Sequence, residues 1–494
     1  MSFDARVLRD ETTGLVLDLA DAPEVEAILA GPMTAALRAM ASLEDGALAN
    51  PDEGRMVGHY WLRDADRAPT AEIVAEIRDS HAALAALDPG DHDDVLLIGI
   101  GGSALGPQLL AEALSSPQDP RRLHFLDNTD PEGFARVLQG LDPARTLAVV
   151  VSKSGGTVET ANGMLAAQAW WAAAGEPWEP HAIAITVTGS ALHRQAADWR
   201  ARLPLWDWVG GRTSVTGTVG LLPMALCGWD WQALLAGAAA MDTRTRLPPA
   251  QNPAAWLAAA WFAAGNGRGD RALVVLPYRD RLLLLSRYLQ QLVMESLGKE
   301  QDRQGRVVLQ GLAVYGNKGS TDQHAFMQQV RDGRDDAFVH LIEVTQPGAA
   351  PCPGAEGHDA SDHLLGFLRG TRSALAQAGR PCVGLRVPRL DAWTLGGLIA
   401  LFERTVGLYA ELIDVNAYNQ PGVEAGKRAA RETLRALDAV QAALDDSPAT
   451  AEELALRAAV APGLAWRLLD HLAATGRARA LPGARPSLDR FARP

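Results

Sequence analysis

A short segment after a run of apolar, mostly β-branched residues combines three side-chain hydroxyls with two glycines. It reads LAVVVSKSGGTVET, residues 147–160, and it predicts a buried strand, a loop and then a helix. Ligands of open parallel sheets bind outside the carboxyl ends of the strands, and the free amides at a helix N-terminus attract anions. A simple helix cap needs one hydroxyl, whereas Ser152, Ser154 and Thr157 supply three. The loop therefore predicts a phosphate-binding site, in which the glycines let the backbone approach the ligand.

A second glycine-rich turn follows an earlier apolar run, in LLIGIGGSALGP, residues 96–107. The G-x-G-x-x-G spacing of a dinucleotide-binding turn is not met, because Ala104 occupies the position that would extend it. We interpret the turn as a place where the backbone comes close to a sugar, with Gly102 and Ser103 at the site.

Two charged residues have the types that proton transfer and charge stabilisation require. Arg212 follows two glycines at a predicted strand end, where it either pairs on the surface or points at negative charge that develops in a cleft. Gln291 and Glu295 lie four apart on one helix face, which also carries the apolar side chains of Tyr288 and Leu292. A carboxylate that loses water in apolar surroundings becomes a stronger base, so Glu295 is a candidate general base as well as a possible surface glutamate.

Two further candidates follow along the chain. His324 falls at the predicted beginning of a helix, where a structural histidine is the alternative. Gln420 precedes another predicted helix, and Lys427 lies in the first turns of that helix. A lysine there is unfavourable for the helix dipole, so either an anionic partner explains it or it is simply solvated.

Composition limits the classes of function. The 494 residues predict two or three domains, and the 48% hydrophobic and 21% charged content is that of an ordinary globular protein. A net charge of -13 disfavours nucleic-acid binding by a global basic surface. Three widely spaced cysteines indicate neither a disulfide framework nor a zinc site. The sequence shows no signal core and no membrane-spanning apolar run, which predicts a cytoplasmic protein without a membrane partner.

Short apolar runs alternate with helical stretches in two successive sets. The first set is DVLLIGI (94–100), RLHFLD (122–127), TLAVVV (146–151) and HAIAIT (181–186). The second set is ALVVLP (272–277), VVLQGLAVY (307–315), AFVHLIEV (337–344) and CVGLRVP (382–388). Strands that are apolar on both faces and alternate with helices predict parallel sheets covered by helices, so we expect two α/β domains.

These patterns predict four parts of the chain. They are an N-terminal helical segment (1–54), a first α/β domain with the phosphate loop (55–240), a second α/β domain with the carboxylate and the histidine (250–435), and a small helical tail (445–494). In the tail, Thr450 and Glu453 have the spacing of a capping box, and the whole resembles a winged-helix unit. We interpret the tail as a packing or oligomer-supporting appendage, with DNA binding as the alternative.

Six motifs occur together in the order IGIGGSALGP, VVSKSGGTVET, GGRTS, QQLVMES, GSTDQHAF and NQPGVEAGK. Across residues 55–435 they resemble the signatures of the glucose-6-phosphate isomerase family, and of its bacterial branch in particular. The resemblance implies two sugar-isomerase (SIS) domains, each an α/β/α sandwich. It also implies a homodimer with active sites at the subunit interface. Leu297 and the turn before His324 depart from the pattern of many relatives.

The resemblance also implies roles for individual residues. Ser152, Ser154 and Thr157, with the backbone of Lys153, would hold the 6-phosphate, and Gly102 and Ser103 would line the sugar site. Gln291 and Gln420 would help to hold the substrate. The remaining roles concern the chemistry: His324 and Lys427 would open the pyranose ring, Glu295 would move a proton between C2 and C1, and Arg212 would stabilise the cis-enediolate.

This chemistry converts glucose 6-phosphate and fructose 6-phosphate into each other, and the sequence predicts neither a metal nor a cofactor for it. Two alternatives differ from it in function. One is a dual phosphoglucose/phosphomannose isomerase, which would turn over mannose 6-phosphate at a comparable rate. The other is a non-catalytic sugar-phosphate sensor built on the same domains, which would need the phosphate loop but not the proton-transfer residues.

Overall fold

The computed structural model describes residues 6–494, apart from the side chains of residues 423–425. Residues 1–5 of the predicted N-terminal segment lie outside the described residues. The chain forms two compact units, one that extends to Asn419 and one that begins at Gln420. Among the described residues, every helix is too short or too polar to cross a membrane.

The larger unit contains thirteen strands and fifteen α-helices among its described residues. The strands are β1 (Val7–Arg9), β2 (Val16–Asp18), β3 (Asp94–Ile98), β4 (Arg122–Leu126), β5 (Thr146–Val151), β6 (Ala182–Thr186), β7 (Ala201–Pro204), β8 (Ala272–Pro277), β9 (Lys299–Gln301), β10 (Val307–Gln310), β11 (Val314–Tyr315), β12 (Ala337–Val344) and β13 (Cys382–Val387). The helices are α1 (Glu26–Ala30), α2 (Met33–Glu44), α3 (Ala71–Ala86), α4 (Leu105–Leu114), α5 (Pro131–Leu138), α6 (Val158–Ala174), α7 (Ala191–Gln195), α8 (Thr218–Cys227), α9 (Trp231–Arg244), α10 (Pro253–Ala264), α11 (Leu285–Leu289), α12 (Glu295–Leu297), α13 (Met327–Asp332), α14 (Ala360–Gln377) and α15 (Ala392–Leu412).

The first sheet has the order β4-β3-β5-β6-β7, and all its strand pairs are parallel. Every residue of β3, β5 and β6 is buried, because helices cover both faces of the sheet. This explains why the sequence of these strands is apolar without alternation. The sheet confirms the first α/β sandwich that the sequence predicts.

The second sheet has the order β1-β2-β13-β12-β8-β11. The strands β13, β12, β8 and β11 are parallel, as expected, but β2 pairs antiparallel with β13 and β1 pairs antiparallel with β2. The segment 1–54 is therefore not only helical, since its hairpin extends the sheet of the second domain. The predicted strand 307–315 also divides, because β10 pairs with β9 in a separate hairpin and only β11 joins the sheet.

Two central helices join the sandwiches into one core. α15 is buried along most of its length and packs closely against α9. A Cβ added at Gly237 would lie 1.8 Å from the carbonyl oxygen of Trp393, and one at Gly396 would lie 1.9 Å from that of Leu234. The two helices therefore touch backbone to backbone, which only glycine permits at these positions.

The smaller unit contains α16 (Gly422–Ala442), β14 (Ala449–Thr450), α17 (Ala451–Ala458), α18 (Pro462–Ala474), β15 (Arg479–Leu481) and β16 (Arg490–Ala492). Its strands form a three-stranded antiparallel sheet, so the tail is not purely helical. The sequence assigns the residues of α16 up to 435 to the second α/β domain. In the structure α16 belongs to the smaller unit, because Val440 and Leu444 pack into a core with Leu454, Leu469 and Phe491.

Candidate active site

Three loops meet at the carboxyl edge of the first sheet. β3 and β5 are parallel neighbours, with Ile98 opposite Val150, so the loops after them leave the sheet on the same side. The loop after β7 reaches the same place, because a Cβ added at Gly102 would lie only 2.1 Å from the carbonyl oxygen of Gly211. This contact fixes the backbone beside Arg212 against the turn after β3.

Gly102→Ala is expected to lower kcat at least tenfold for the sugar-phosphate isomerisation that the sequence predicts. The reason is that the new methyl group forces the loop that carries Arg212 away from the turn. Gly366→Ala is the matched control. Gly366 lies in α14 outside the three loops, and a Cβ there would meet no described atom within 4 Å apart from its chain neighbours and the adjacent backbone of its own helix. Steady-state kinetics and thermal melting of the two variants check the prediction. Equal kcat values for the two variants would contradict it.

The predicted phosphate loop folds around its own hydroxyls. Ser152 Oγ accepts a hydrogen bond from the amide of Gly155 at 3.0 Å, and Ser154 Oγ accepts one from the amide of Gly156 at 3.1 Å. Thr157 is the N-cap residue of α6 but makes no side-chain cap bond, whereas Asp130, Asp230 and Asp391 cap their helices. The first amides of α6 and the Thr157 hydroxyl are therefore not used for capping, which suits an anion at this helix end.

The side chain of Lys153 turns away from the loop that its backbone helps to form. Its Nζ donates hydrogen bonds to the carbonyl oxygens of Asp207 at 2.9 Å and Val209 at 3.1 Å. Burial lowers the pKa of Lys153 to about 8, and the nearby Arg55 guanidinium acts in the same direction. Lys153 thus ties the hydroxyl loop to the loop that leads to Arg212.

Arg212 is buried, with 7% of its surface exposed, so the alternative of a surface ion pair is wrong. Its Nη1 donates to Glu295 Oε2 at 3.0 Å, and its Nη2 donates to the carbonyl oxygens of Asn419 at 2.8 Å and Ala417 at 3.2 Å. Burial lowers the pKa of the guanidinium, and the Glu295 carboxylate opposes that shift. The structure therefore joins the predicted cation and the predicted base in one pair.

The carboxylate comes from a helical segment with an unusual turn. α11 continues through a π-helical segment (Gln290–Met294) into α12, which begins at Glu295. Gln291 Nε2 lies 3.4 Å from Glu295 Oε1, as their four-residue spacing predicts. Earlier in the same segment, the Tyr288 hydroxyl donates a hydrogen bond to the carboxylate of the buried Glu403 at 3.2 Å. A Cβ at Gly101 would lie 3.1 Å from Gln291 Nε2, so this segment lies against the turn after β3.

The expectation of apolar surroundings for Glu295 is wrong. Tyr288 and Leu292 are buried in the core, but the Glu295 side chain is 28% exposed and faces the Arg212 guanidinium. The position of a residue on a helix face fixes only where its side chain begins. The Glu295 carboxylate extends away from that face and reaches Arg212, which belongs to the first α/β domain. Leu297, which departs from the family pattern, is fully buried in the core.

His324 ends a short 3-10 helix (Thr321–His324), and α13 begins three residues later, so it does not begin a helix as predicted. It is exposed and makes no hydrogen bond or ion pair with any described residue. The turn before it is organised by the buried Asp322, whose carboxylate accepts from the backbone amide of Asn317 at 2.7 Å and from its side chain at 3.1 Å. The Asp322 carboxylate therefore holds in place the turn that precedes His324 in the GSTDQHAF motif.

Gln420 and Lys427 belong to the smaller unit. Gln420 is exposed and directly precedes the N-cap residue of α16, Pro421. Lys427 is exposed within the first two turns of α16, as the sequence predicts. The remaining candidates belong to the larger unit. Except for His324, they lie together at the carboxyl edge of the first sheet.

Sequence reasoning missed two residues that support the pair. Lys299 donates to the carbonyl oxygens of Glu295 at 2.8 Å and Asn419 at 2.9 Å, and Asn419 also holds Arg212. The four-residue spacing of Glu295 and Lys299 could have indicated from the sequence that the two residues are neighbours. Asn419 acts through its backbone carbonyl oxygen, which any residue type has, so the sequence contains no sign of its role. Among the described side chains, which are those of residues 6–422 and 426–494, no group of three or more His, Cys, Asp or Glu residues is arranged to hold a metal ion.

Comparison with known proteins gives consistent matches over most of the chain. The model of the phosphoglucose isomerase family matches residues 38–352 and 370–453. A glucose-6-phosphate isomerase of Thermosynechococcus vestitus is 52% identical over 477 residues, which cover 92% of this chain and 90% of that protein. One of Citrifermentans bemidjiense is 52% identical over 464 residues, with 89% and 88% covered. The crystal structure of a glucose-6-phosphate isomerase from Chlamydia trachomatis superposes with a TM-score of 0.80 at 26% identity, covering 87% of this chain and 90% of that one.

Proposed function

Because this chain belongs to the phosphoglucose isomerase family, we propose that it converts glucose 6-phosphate and fructose 6-phosphate into each other. The observation that carries the proposal is the Arg212–Glu295 pair, which joins the two α/β domains beside the loops of the first sheet. A base and a cation at one place suit an aldose–ketose isomerisation, in which a proton leaves carbon while negative charge develops on oxygen.

The phosphate of the substrate binds at the loop of Ser152, Ser154 and Thr157. The uncapped N-terminus of α6 supports this placement, because its free amides and positive dipole end favour an anion. Ser152 and Ser154 accept from loop amides, so their hydroxyl hydrogens remain available to donate to phosphate oxygens. The Lys153 backbone contributes to the loop, and Gly102 and Ser103 line the sugar next to it.

Glu295 then acts on the opened sugar. Its carboxylate takes the proton from C2 of the aldose and returns it to C1, while the hydroxyl proton of O2 passes to O1, and the reverse sequence converts the ketose. The cis-enediolate between these steps carries negative charge, which Arg212 stabilises from its place beside Glu295. Gln291 and Gln420 hold the substrate in position, and the Gln291 side chain already meets the Glu295 carboxylate.

Ring opening requires a proton to move between O1 and O5, and we assign this step to His324 and Lys427. We further propose that the protein is a cytoplasmic homodimer whose active sites lie at the subunit interface. The exposure of His324 on an ordered turn supports this part of the proposal, because a group that serves an interface must lie at the surface of its own subunit.

The direct experiment incubates purified protein with fructose 6-phosphate and couples the glucose 6-phosphate formed to a dehydrogenase. We expect turnover in the usual range of about 1–10³ s⁻¹. Folded protein that forms no glucose 6-phosphate would overturn the proposal. Size-exclusion chromatography with light scattering on the same sample tests the homodimer separately.

The double substitution Ser154→Ala with Thr157→Ala is expected to raise KM about 10²-fold or more, because each of the two lost hydrogen bonds to a charged ligand costs about 1.5–3 kcal/mol. Thr160→Ala, which changes a buried threonine of α6 outside the loop, is the control. Inhibition by inorganic phosphate provides a second measurement. An unchanged inhibition constant in the double variant would place the phosphate elsewhere.

A further inference from the structure

Lys299 is a buried lysine that has no part in the steps above. It follows Glu295 by four residues and has 7% of its surface exposed. Its Nζ donates one hydrogen bond to the carbonyl oxygen of Glu295 at 2.8 Å and another to that of Asn419 at 2.9 Å. A buried ammonium group is costly unless hydrogen bonds compensate the lost water, so both bonds are needed where they are.

The carbonyl oxygen of Asn419 is shared between two cations. Arg212 Nη2 donates to it at 2.8 Å and Lys299 Nζ at 2.9 Å, which uses both lone pairs of one oxygen. Asn419 is held from its other side, since its side-chain amide donates to Asp52. Lys299 therefore connects the backbone of Glu295 to the acceptor that orients Arg212.

We infer that Lys299 is a positioning residue for the isomerisation, which holds the Glu295 backbone and the Asn419 carbonyl so that Arg212 stays in place during proton transfer. When Glu295 takes up a proton it loses its charge, and its attraction for Arg212 weakens. The guanidinium is then held by the carbonyl oxygens of Ala417 and Asn419 alone. Lys299 keeps the second of these acceptors fixed at the moment when the enediolate needs the cation.

The charged groups around Lys299 come from three parts of the fold. Arg212 approaches from the loop after β7, Glu295 from α12, and Asp52 and Glu53 from the segment after α2. Burial is the largest effect and lowers the pKa of Lys299 to about 8, Arg212 acts in the same direction, and the three carboxylates oppose it. Lys299 is therefore charged at pH 7 and loses its proton as the pH rises through about 8. Its hydrogen bonds then lose their charge assistance, which makes them weaker.

The inference rests on the proposed isomerase activity, so turnover of the wild-type protein is measured first. Failure of the proposed function would appear in the wild type, whereas failure of this inference would appear only in the variants. The two variants are Lys299→Met, which removes the donors, and Lys299→Arg, which keeps a charge at every accessible pH. Lys318→Met is the matched control, because that lysine pairs with the exposed Asp280 at 2.8 Å.

We expect Lys299→Met to lower kcat about 10- to 100-fold, with KM and the inhibition constant of inorganic phosphate within about threefold of the wild-type values. Lys299→Arg restores most of kcat. In the wild type kcat/KM falls above a pH of about 8, and in Lys299→Arg this fall moves to higher pH. Lys318→Met retains the wild-type kcat and pH profile.

Three results would overturn the inference. The first is a kcat for Lys299→Met within twofold of the wild type. The second is an alkaline fall in Lys299→Arg at the wild-type pH, which would assign the titration to another group such as Lys153, whose pKa is also lowered to about 8. The third is loss of the folded state in both variants, seen by circular dichroism and thermal melting, because Lys299 would then serve the fold and not the site.

Discussion

Glu295→Gln is expected to lower kcat about 10³-fold for both directions of the isomerisation. General base catalysis by one positioned carboxylate supplies about 10²–10⁴-fold, and an amide of the same shape cannot take up the C2 proton. The Gln side chain can still receive a hydrogen bond from Arg212 through its carbonyl oxygen, so the pair keeps its geometry. KM and the inhibition constant of inorganic phosphate are therefore expected to stay within about threefold.

The control for this prediction is Glu300→Gln, which makes the same change at an exposed glutamate of β9 five residues away. It is expected to leave kcat unchanged. The decisive measurement is exchange of the C2 hydrogen with deuterated solvent, followed by NMR. If the Glu295→Gln variant exchanges the C2 hydrogen of the substrate at the wild-type rate, Glu295 is not the base that removes this proton. That conclusion would hold whatever the effect on overall turnover.

The sequence predicts the strands best where burial on both faces leaves no alternation. TLAVVV coincides with β5, ALVVLP with β8 and AFVHLIEV with β12, because short and mostly apolar runs of β-branched and other large residues between turn residues are typical of buried strands. β1 and β2 have three residues each, which is too short for a period, and their place in the second sheet depends on a partner that is more than 350 residues away. Contacts at that separation leave no local pattern.

The candidate site likewise has features that the sequence predicts and contacts that it does not predict. The hydroxyl loop is a local feature, and so is the four-residue spacing of Gln291 and Glu295, so the sequence contains both. The partner of Glu295 is 83 residues away in the chain, and the partners of Arg212 in the 416–419 segment are backbone oxygens, which have no residue type. Residue types predict which chemical groups are available, whereas the fold determines which of these groups come into contact at one site.

Arg212→Lys is expected to lower kcat about 10²–10³-fold, with KM within about fivefold. The guanidinium uses a planar fork to reach the Glu295 carboxylate and the carbonyl oxygens of Ala417 and Asn419 together. A lysine keeps the charge but is a single point on a flexible stem, so it cannot hold all three acceptors. The loss matches that for removing one donor from a site that stabilises an oxyanion. Arg287→Lys, at an exposed position of α11, is the matched control and is expected to retain the wild-type kcat.

The double variant Arg212→Lys with Glu295→Gln tests whether the two residues act in one step. Residues that serve the same proton transfer are not additive, because once the base is absent there is little enediolate left to stabilise. The double variant is therefore expected to be at most about tenfold slower than Glu295→Gln alone. A loss equal to the product of the two single losses would mean that Arg212 and Glu295 act on separate steps. The ion pair between them would then be a contact of the resting site only.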